Sequence, residues 1–144
     1  PFVVLVEREL LKTRHITLKK YILLLMEMRR IFKSSHLKLY VKFKPRHFYF
    51  AKFILFRLLG YRVLPTKVPA QFYCASEYCK VILGFTSSAL SINYSKPFIS
   101  LASLENTYSK SLAPNIQSMV ERSEDTNVKI DFIKNLKNLK KYLN

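Results

Sequence analysis

The apolar residues of this chain change their period several times, and the changes fall at proline, glycine or Ser/Thr pairs. That alternation limits the fold more than any single motif does. Residues 2–6, Phe-Val-Val-Leu-Val, read as a strand leading into a basic connection. From Thr17, placed as an N-cap, Leu18, Tyr21, Ile22, Leu25 and Phe32 recur at helical spacing. The period then drops to two: Leu37, Leu39, Val41 and Phe43 alternate with Lys38, Tyr40, Lys42 and Lys44. This is a half-buried strand near a sheet edge with one basic face, from which Lys42 and Lys44 project on the same side before Pro45 ends it.

Residues 48–59 return to helical spacing through Phe48, Ala51, Ile54, Leu55 and Leu58, with Gly60 where a helix-ending glycine belongs. A short strand over 61–65, a turn over 66–69 and a short helix over 70–77 follow. Residues 80–85 are almost continuously apolar and read as the buried central strand. After Thr86-Ser87-Ser88 the pattern gives a helix over 89–94 and a strand over 97–101. Residues 106–126 are polar and poorly periodic and read as a long loop. Residues 127–144 read as a terminal helix with Phe132, Leu136, Leu139 and Leu143 on one face. Strands alternating with helices at these lengths predict one α/β domain over 1–144: a Rossmann-like, mostly parallel sheet with helices on both faces.

The charge is lopsided. The chain carries 25 Lys and Arg against 9 Asp and Glu, a net +16, of which +13 lies in residues 1–67. Such a field attracts phosphates, whether on a nucleotide, a nucleic acid or an anionic membrane face. Several chemistries are excluded by scarcity. Two glycines, Gly60 and Gly84, cannot make a Walker loop or a G-x-G-x-x-G fingerprint. Cys74 and Cys79 have no partners at zinc spacing and read as buried free thiols, and no metal site is expected. Aspartate occurs only at 125 and 131, and His15, His36 and His47 are scattered.

In an open parallel sheet, ligands bind at the carboxyl ends of the strands. Two such ends carry chemistry. At the first, Lys42, Lys44, Arg46 and His47 surround a strand-to-helix turn and can neutralise a phosphate. At the second, Gly84-Phe85-Thr86-Ser87-Ser88 brings a bend and hydroxyls to a helix start, where free N–H groups favour an anion. Each feature alone is ordinary: a solvated basic turn, and N-capping serines. Together they read as the two sides of a phosphate clamp.

The order of these stretches also resembles a family. Lys42-Phe43-Lys44-Pro45-Arg46, Val63-Leu64-Pro65, Pro69-Ala70-Gln71 and Gly84-Phe85-Thr86-Ser87-Ser88-Ala89-Leu90 are similar to the motifs of the nucleotide-sugar-binding half of bacterial GT-B sialyltransferases, glycosyltransferase family 52 and the capsular α-2,8-polysialyltransferases. The resemblance covers residues 37–105. It implies metal-independent, inverting transfer of sialic acid from CMP-sialic acid to an acceptor glycan of lipooligosaccharide or capsule, with no cofactor besides the donor substrate. By this likeness Ser87 and Ser88 contact the CMP phosphate, Gly84 and Thr86 shape their loop, and Lys42, Arg46 and Gln71 complete the nucleotide side. Two positions depart from the pattern. Lys44 stands at the family's catalytic histidine, with His47 three residues on as a substitute, and Gln71 stands where the family has Pro-x-Glu. Lysine pairs with a leaving phosphate but, near an ordinary pKa of about 10.4, shuttles protons poorly at neutral pH.

The resemblance further implies an amino-terminal acceptor domain that supplies the base, so that this chain is a fragment or degraded copy without activity of its own. Pro1 inside an apolar run fits a piece of something longer. The alternative is a non-enzymatic basic module that binds nucleic acid or an anionic membrane, using Tyr40, Phe43, Phe48, Tyr49 and Phe50. Nucleic acid is the weaker partner, since those aromatics fall at core spacing. With no apolar run of bilayer length, the expected location is cytoplasmic, with peripheral contact at the inner membrane face.

Overall fold

The computed structural model describes residues 1–47, 49–86, 95–125 and 128–143, apart from the side chains of His47 and Asp125. In chain order it forms β1 (Phe2–Val6), α1 (Leu18–Lys33), β2 (Lys38–Lys42), a 3-10 turn (Pro45–His47) and α2 (Phe50–Leu58). There follow β3 (Arg62–Val63), α3 (Ala70–Ala75), β4 (Cys79–Gly84), β5 (Phe98–Ser100), α4 (Ala113–Asp125), β6 (Ile130–Phe132) and a 3-10 helix (Leu136–Tyr142). The six strands make one sheet in the order β3-β2-β1-β4-β5-β6, every pair parallel. This is the doubly wound α/β arrangement that the alternating periods predict.

Strand alternation sorts the core onto two faces. Val3 and Leu5 of β1, Leu39 and Val41 of β2, and Val81 and Leu83 of β4 face α1, α2 and the terminal 3-10 helix. Val4, Val6 and Ile82 face α3 and α4, against Cys74 and Met119. Thr17 caps α1, its hydroxyl accepting from the Lys20 amide at 3.3 Å. The buried stripe of α1 is Tyr21, Leu24, Leu25, Met28, Ile31 and Phe32. Leu18, expected on that stripe, is exposed, because the helix turns its Leu24–Met28 side to the sheet. Gly60 takes φ +90° to end α2, and a Cβ there would approach Arg29 Nε to 2.6 Å.

Three expectations are corrected. In α2 only Phe56 is buried. Phe56 meets Phe43, Tyr61 and Tyr21 edge-on at 5.1, 5.2 and 6.2 Å, so the aromatic cluster rather than the Ile54 and Leu58 stripe decides which way the helix faces. Residues 106–126 contain a helix, α4, seated through buried Met119. Its inward row, Ile116, Met119, Val120 and Ser123, is at helical spacing, but the polar residues on every other side hid it. Residues 127–144 are not one helix. Ile130 and Phe132 alternate with Asp131 in a strand that covers the open edge of β5, and the spacing of Leu136 and Leu139 belongs to 3-10 geometry. The expected helix over 89–94 lies outside the described residues.

Candidate functional site at the carboxyl ends of the strands

Strand order reverses at β1, so the crevice available to a ligand opens where the β1 and β4 connections diverge. The register places Val6 opposite Lys42 on one side and opposite Gly84 on the other. The two motif-bearing strand ends therefore lie one strand to either side of β1 at the same level, about 10 Å apart by strand spacing.

On the β2 side the sequence builds a cationic cavity. Lys42 ends β2 with its side chain on the α3 face, the alternate position to Val41 and Phe43. It is buried, where the alternation predicts a solvated basic face, because the β3–α3 connection folds across it. Its Nζ donates to the Phe43 carbonyl at 2.8 Å and the Thr66 carbonyl at 3.2 Å. Burial lowers its pKa, and among the described residues it makes no ion pair. Beside it lies a cavity of about 320 Å³ lined by Val6, Lys42, Lys44, Thr66, Lys67 and Gln71, with Phe43, Pro45, Pro69 and Ala70 completing the wall. That volume falls at the lower end of the ~300–1,000 Å³ typical of small-molecule sites.

The structure thus brings Lys42, Lys44 and Gln71 to one cavity, Gln71 arriving in the first turn of α3. Arg46 is exposed and outside the lining, and His47 closes the 3-10 turn. Lys67 and Thr66 escaped the sequence reading. The 66–69 turn follows a strand and so belongs at the carboxyl edge, which was the available signal.

At the end of β1 the chemistry is reversed. Glu7, 1% exposed, follows Val3 and Leu5 onto the α1 and α2 face. Its Oε1 accepts from Lys52 Nζ at 2.8 Å and from the Tyr21 hydroxyl at 3.0 Å. Oε2 has no hydrogen-bond partner among the described residues. Burial raises the Glu7 pKa against the opposing pull of Lys52 and Tyr21. Where dinucleotide folds place glycines and free amides for a pyrophosphate, this chain commits the Glu7 amide to the Lys42 carbonyl at 3.0 Å and buries the Glu7 carboxylate in a pair with Lys52. Sequence reading passed over Glu7, although an acid directly after an apolar strand is an anomaly in so basic a chain.

At the end of β4, the Gly84 carbonyl accepts from the Leu101 amide at 2.7 Å, and the Phe85 carbonyl accepts from the Ser100 hydroxyl at 2.6 Å. Thr86 is 5% exposed, and its hydroxyl has no hydrogen-bond partner among the described residues. Ser87 and Ser88, the expected phosphate contacts, lie outside the described residues. Cys74 and Cys79 are free and buried, and burial pushes the Cys74 thiol up to about 12, so it is protonated at neutral pH. The described residues hold no group of His, Cys, Asp or Glu able to bind a metal, and none of their helices is long and apolar enough to cross a membrane.

No protein-family model matches the sequence, and no curated protein matches it. Among solved structures, the chain is similar to an NAD-binding oxidoreductase from Klebsiella pneumoniae, with TM-score 0.42 and 8% identity over 91% of this chain and 33% of that one. The chain thus spans about a third of that protein's length.

Proposed function

We propose that the chain binds the phosphate of a nucleoside monophosphate in the β2–β3 cavity, as the donor-binding part of a sialyltransferase-like glycosyltransferase that uses CMP-sialic acid. The observation that carries the binding reading is the cavity itself: its described lining holds three lysines and no carboxylate, at the strand ends where such sheets take ligands. The CMP identity rests on the motif resemblance. In the transfer, the anomeric C–O bond breaks with its electron pair leaving on the CMP phosphate, and the acceptor oxygen forms the new bond. The acceptor proton goes to a base on a separate acceptor domain. Lys42 and Lys44 stabilise the charge that develops on the phosphate, without moving a proton. Ser87 and Ser88 are assigned the opposite side of that phosphate by the same resemblance.

Calorimetric titration tests the reading. CMP is expected to bind in the micromolar-to-millimolar range and cytidine about ten-fold or more weaker, since a charge-assisted phosphate contact is worth about 1.5–3 kcal/mol. Lys44→Ala and the pair Ser87→Ala/Ser88→Ala are each expected to weaken CMP by a similar factor. Equal affinities for CMP and cytidine, or for the wild type and both variants, would overturn it.

A further inference from the structure

The outer surface of the α1–α2 layer carries a cluster of exposed apolar side chains. Positions two apart on a helix point about 200° apart, so with Phe56 turned inward, Phe50, Ile54 and Leu58 form the opposite stripe at i, i+4 and i+8. Phe50 is 71% exposed and Leu58 81%. On neighbouring α1, Leu23 and Met26 are also exposed, opposite the buried Leu25 and Met28. Both helices cover the same sheet face, joined through the Tyr21–Phe56 ring contact and the Tyr61 hydroxyl that donates to the Leu25 carbonyl at 2.7 Å. Their outward stripes therefore face one way.

Between these apolar tips stand exposed Lys19, Arg30, Lys33 and Arg57. The two helices carry one acidic residue, Glu27, which is held by Arg30 at 2.9 Å. Aliphatic tips interleaved with long cationic side chains suit a plane of phosphates above hydrocarbon. The tips enter the acyl boundary, and the lysines and arginines reach up to the headgroups. Nucleic acid would use several stacking planes, and of the five tips only Phe50 is a ring, Leu23, Met26, Ile54 and Leu58 being aliphatic.

We infer that the outer face of α1 and α2 docks on an anionic lipid bilayer, lying in its interface. The cavity opens at the carboxyl ends of the strands on the α3 side of the sheet, away from this face, and stays accessible in the docked molecule.

The chain has no tryptophan, so one introduced indole reports on its own position. Phe50→Trp and Leu58→Trp are both at exposed sites, as is Phe72→Trp on α3, which covers the other sheet face. With vesicles of phosphatidylcholine containing about 30% phosphatidylserine, the first two emissions should shift to the blue and the third should not. Leu58→Ser should weaken vesicle binding about ten-fold, and Lys19→Ser or Lys33→Ser about five-fold each, with added salt weakening it further. An absent shift at positions 50 and 58, an equal shift at 72, or equal binding to neutral vesicles would overturn the assignment. A shift produced by single-stranded DNA or polyglutamate but not by vesicles would also overturn it, and would give the face to those partners.

Discussion

Glu7 and Lys42 are buried charges at the ends of adjacent strands, one register step apart, and the fold treats them in opposite ways. Glu7 points to the α1–α2 face and is closed in by Lys52 and Tyr21. Lys42 points to the α3 face, is held by two carbonyls, and borders a cavity with two further lysines. The first is a neutralised pair inside the core, and desolvation leaves it of little net benefit. The second keeps its charge uncompensated among the described residues, which costs stability unless an anion completes it. One ion pair closes the position that dinucleotide folds use, while one lone cation opens the position beside it.

The largest effect tests the closed side. Lys52→Met leaves the Glu7 carboxylate buried without its cation, and should cost about 3–5 kcal/mol at neutral pH by chemical denaturation. The sign of its pH dependence follows from the raised Glu7 pKa. A carboxyl whose folded pKa lies above its unfolded value favours folding in its protonated form, and that contribution fades as pH rises through the folded value. Removing Lys52 removes two of the influences that lower it, so the deficit of the variant should shrink steadily as the solution is made acidic. The double variant Glu7→Leu/Lys52→Met should be neutral or more stable than the wild type. A deficit independent of pH, or a double variant as weak as the single one, would show that Lys52 supports the fold by packing alone.

These contrasts also show which parts of the molecule are legible in the sequence. The parallel sheet, the Thr17 cap, the turn at Gly60 and the central β4 follow from local signals that tertiary packing did not have to overrule. The orientation of α2 does not: the row at positions 54 and 58 looks like a core stripe, yet one aromatic cluster around Phe56 turns it outward. Sheet order is equally non-local, so neither the depth of Lys42 nor the entry of Lys67 into its cavity can be read from alternation. Glu7 was hidden for a related reason. Its partner Lys52 lies on a helix 45 residues away, and a sequence window sees only an acid in a basic connection.

The open side gives a smaller effect of a different kind. Lys42→Met should change stability by no more than about 1 kcal/mol, because two lost hydrogen bonds of about 1 kcal/mol each are offset by removing a desolvated charge. CMP affinity should fall about ten-fold, the contribution of one charge-assisted contact. Burial lowers the Lys42 pKa below its ordinary 10.5. Its charged form therefore opposes folding, and that penalty is relieved as pH rises through the lowered value. Anion binding follows the opposite course: the advantage of the wild type over Lys42→Met should fade at a pH below that of an ordinary lysine. A large stability loss with unchanged CMP affinity would make Lys42 a fold residue like Glu7 and erase the distinction.

The smallest expected change asks whether charge sign alone separates the two positions. Gln71→Glu puts a carboxylate on the wall of the cavity that the three lysines line, and restores the acid of the Pro-x-Glu motif. Gln71 is exposed, so the variant should fold with unchanged stability. A unit charge several ångströms from a phosphate in a partly solvated site should cost about 0.7 kcal/mol, or roughly three-fold in CMP affinity, and less at high salt. Cytidine affinity should not fall with it, because the nucleoside carries no charge for the new carboxylate to repel. If cytidine weakens as much as CMP, position 71 acts by shape on the nucleoside. If CMP and cytidine instead tighten together, the carboxylate receives ribose hydroxyls, and position 71 then recognises the nucleoside while Lys42 and Lys44 hold the phosphate.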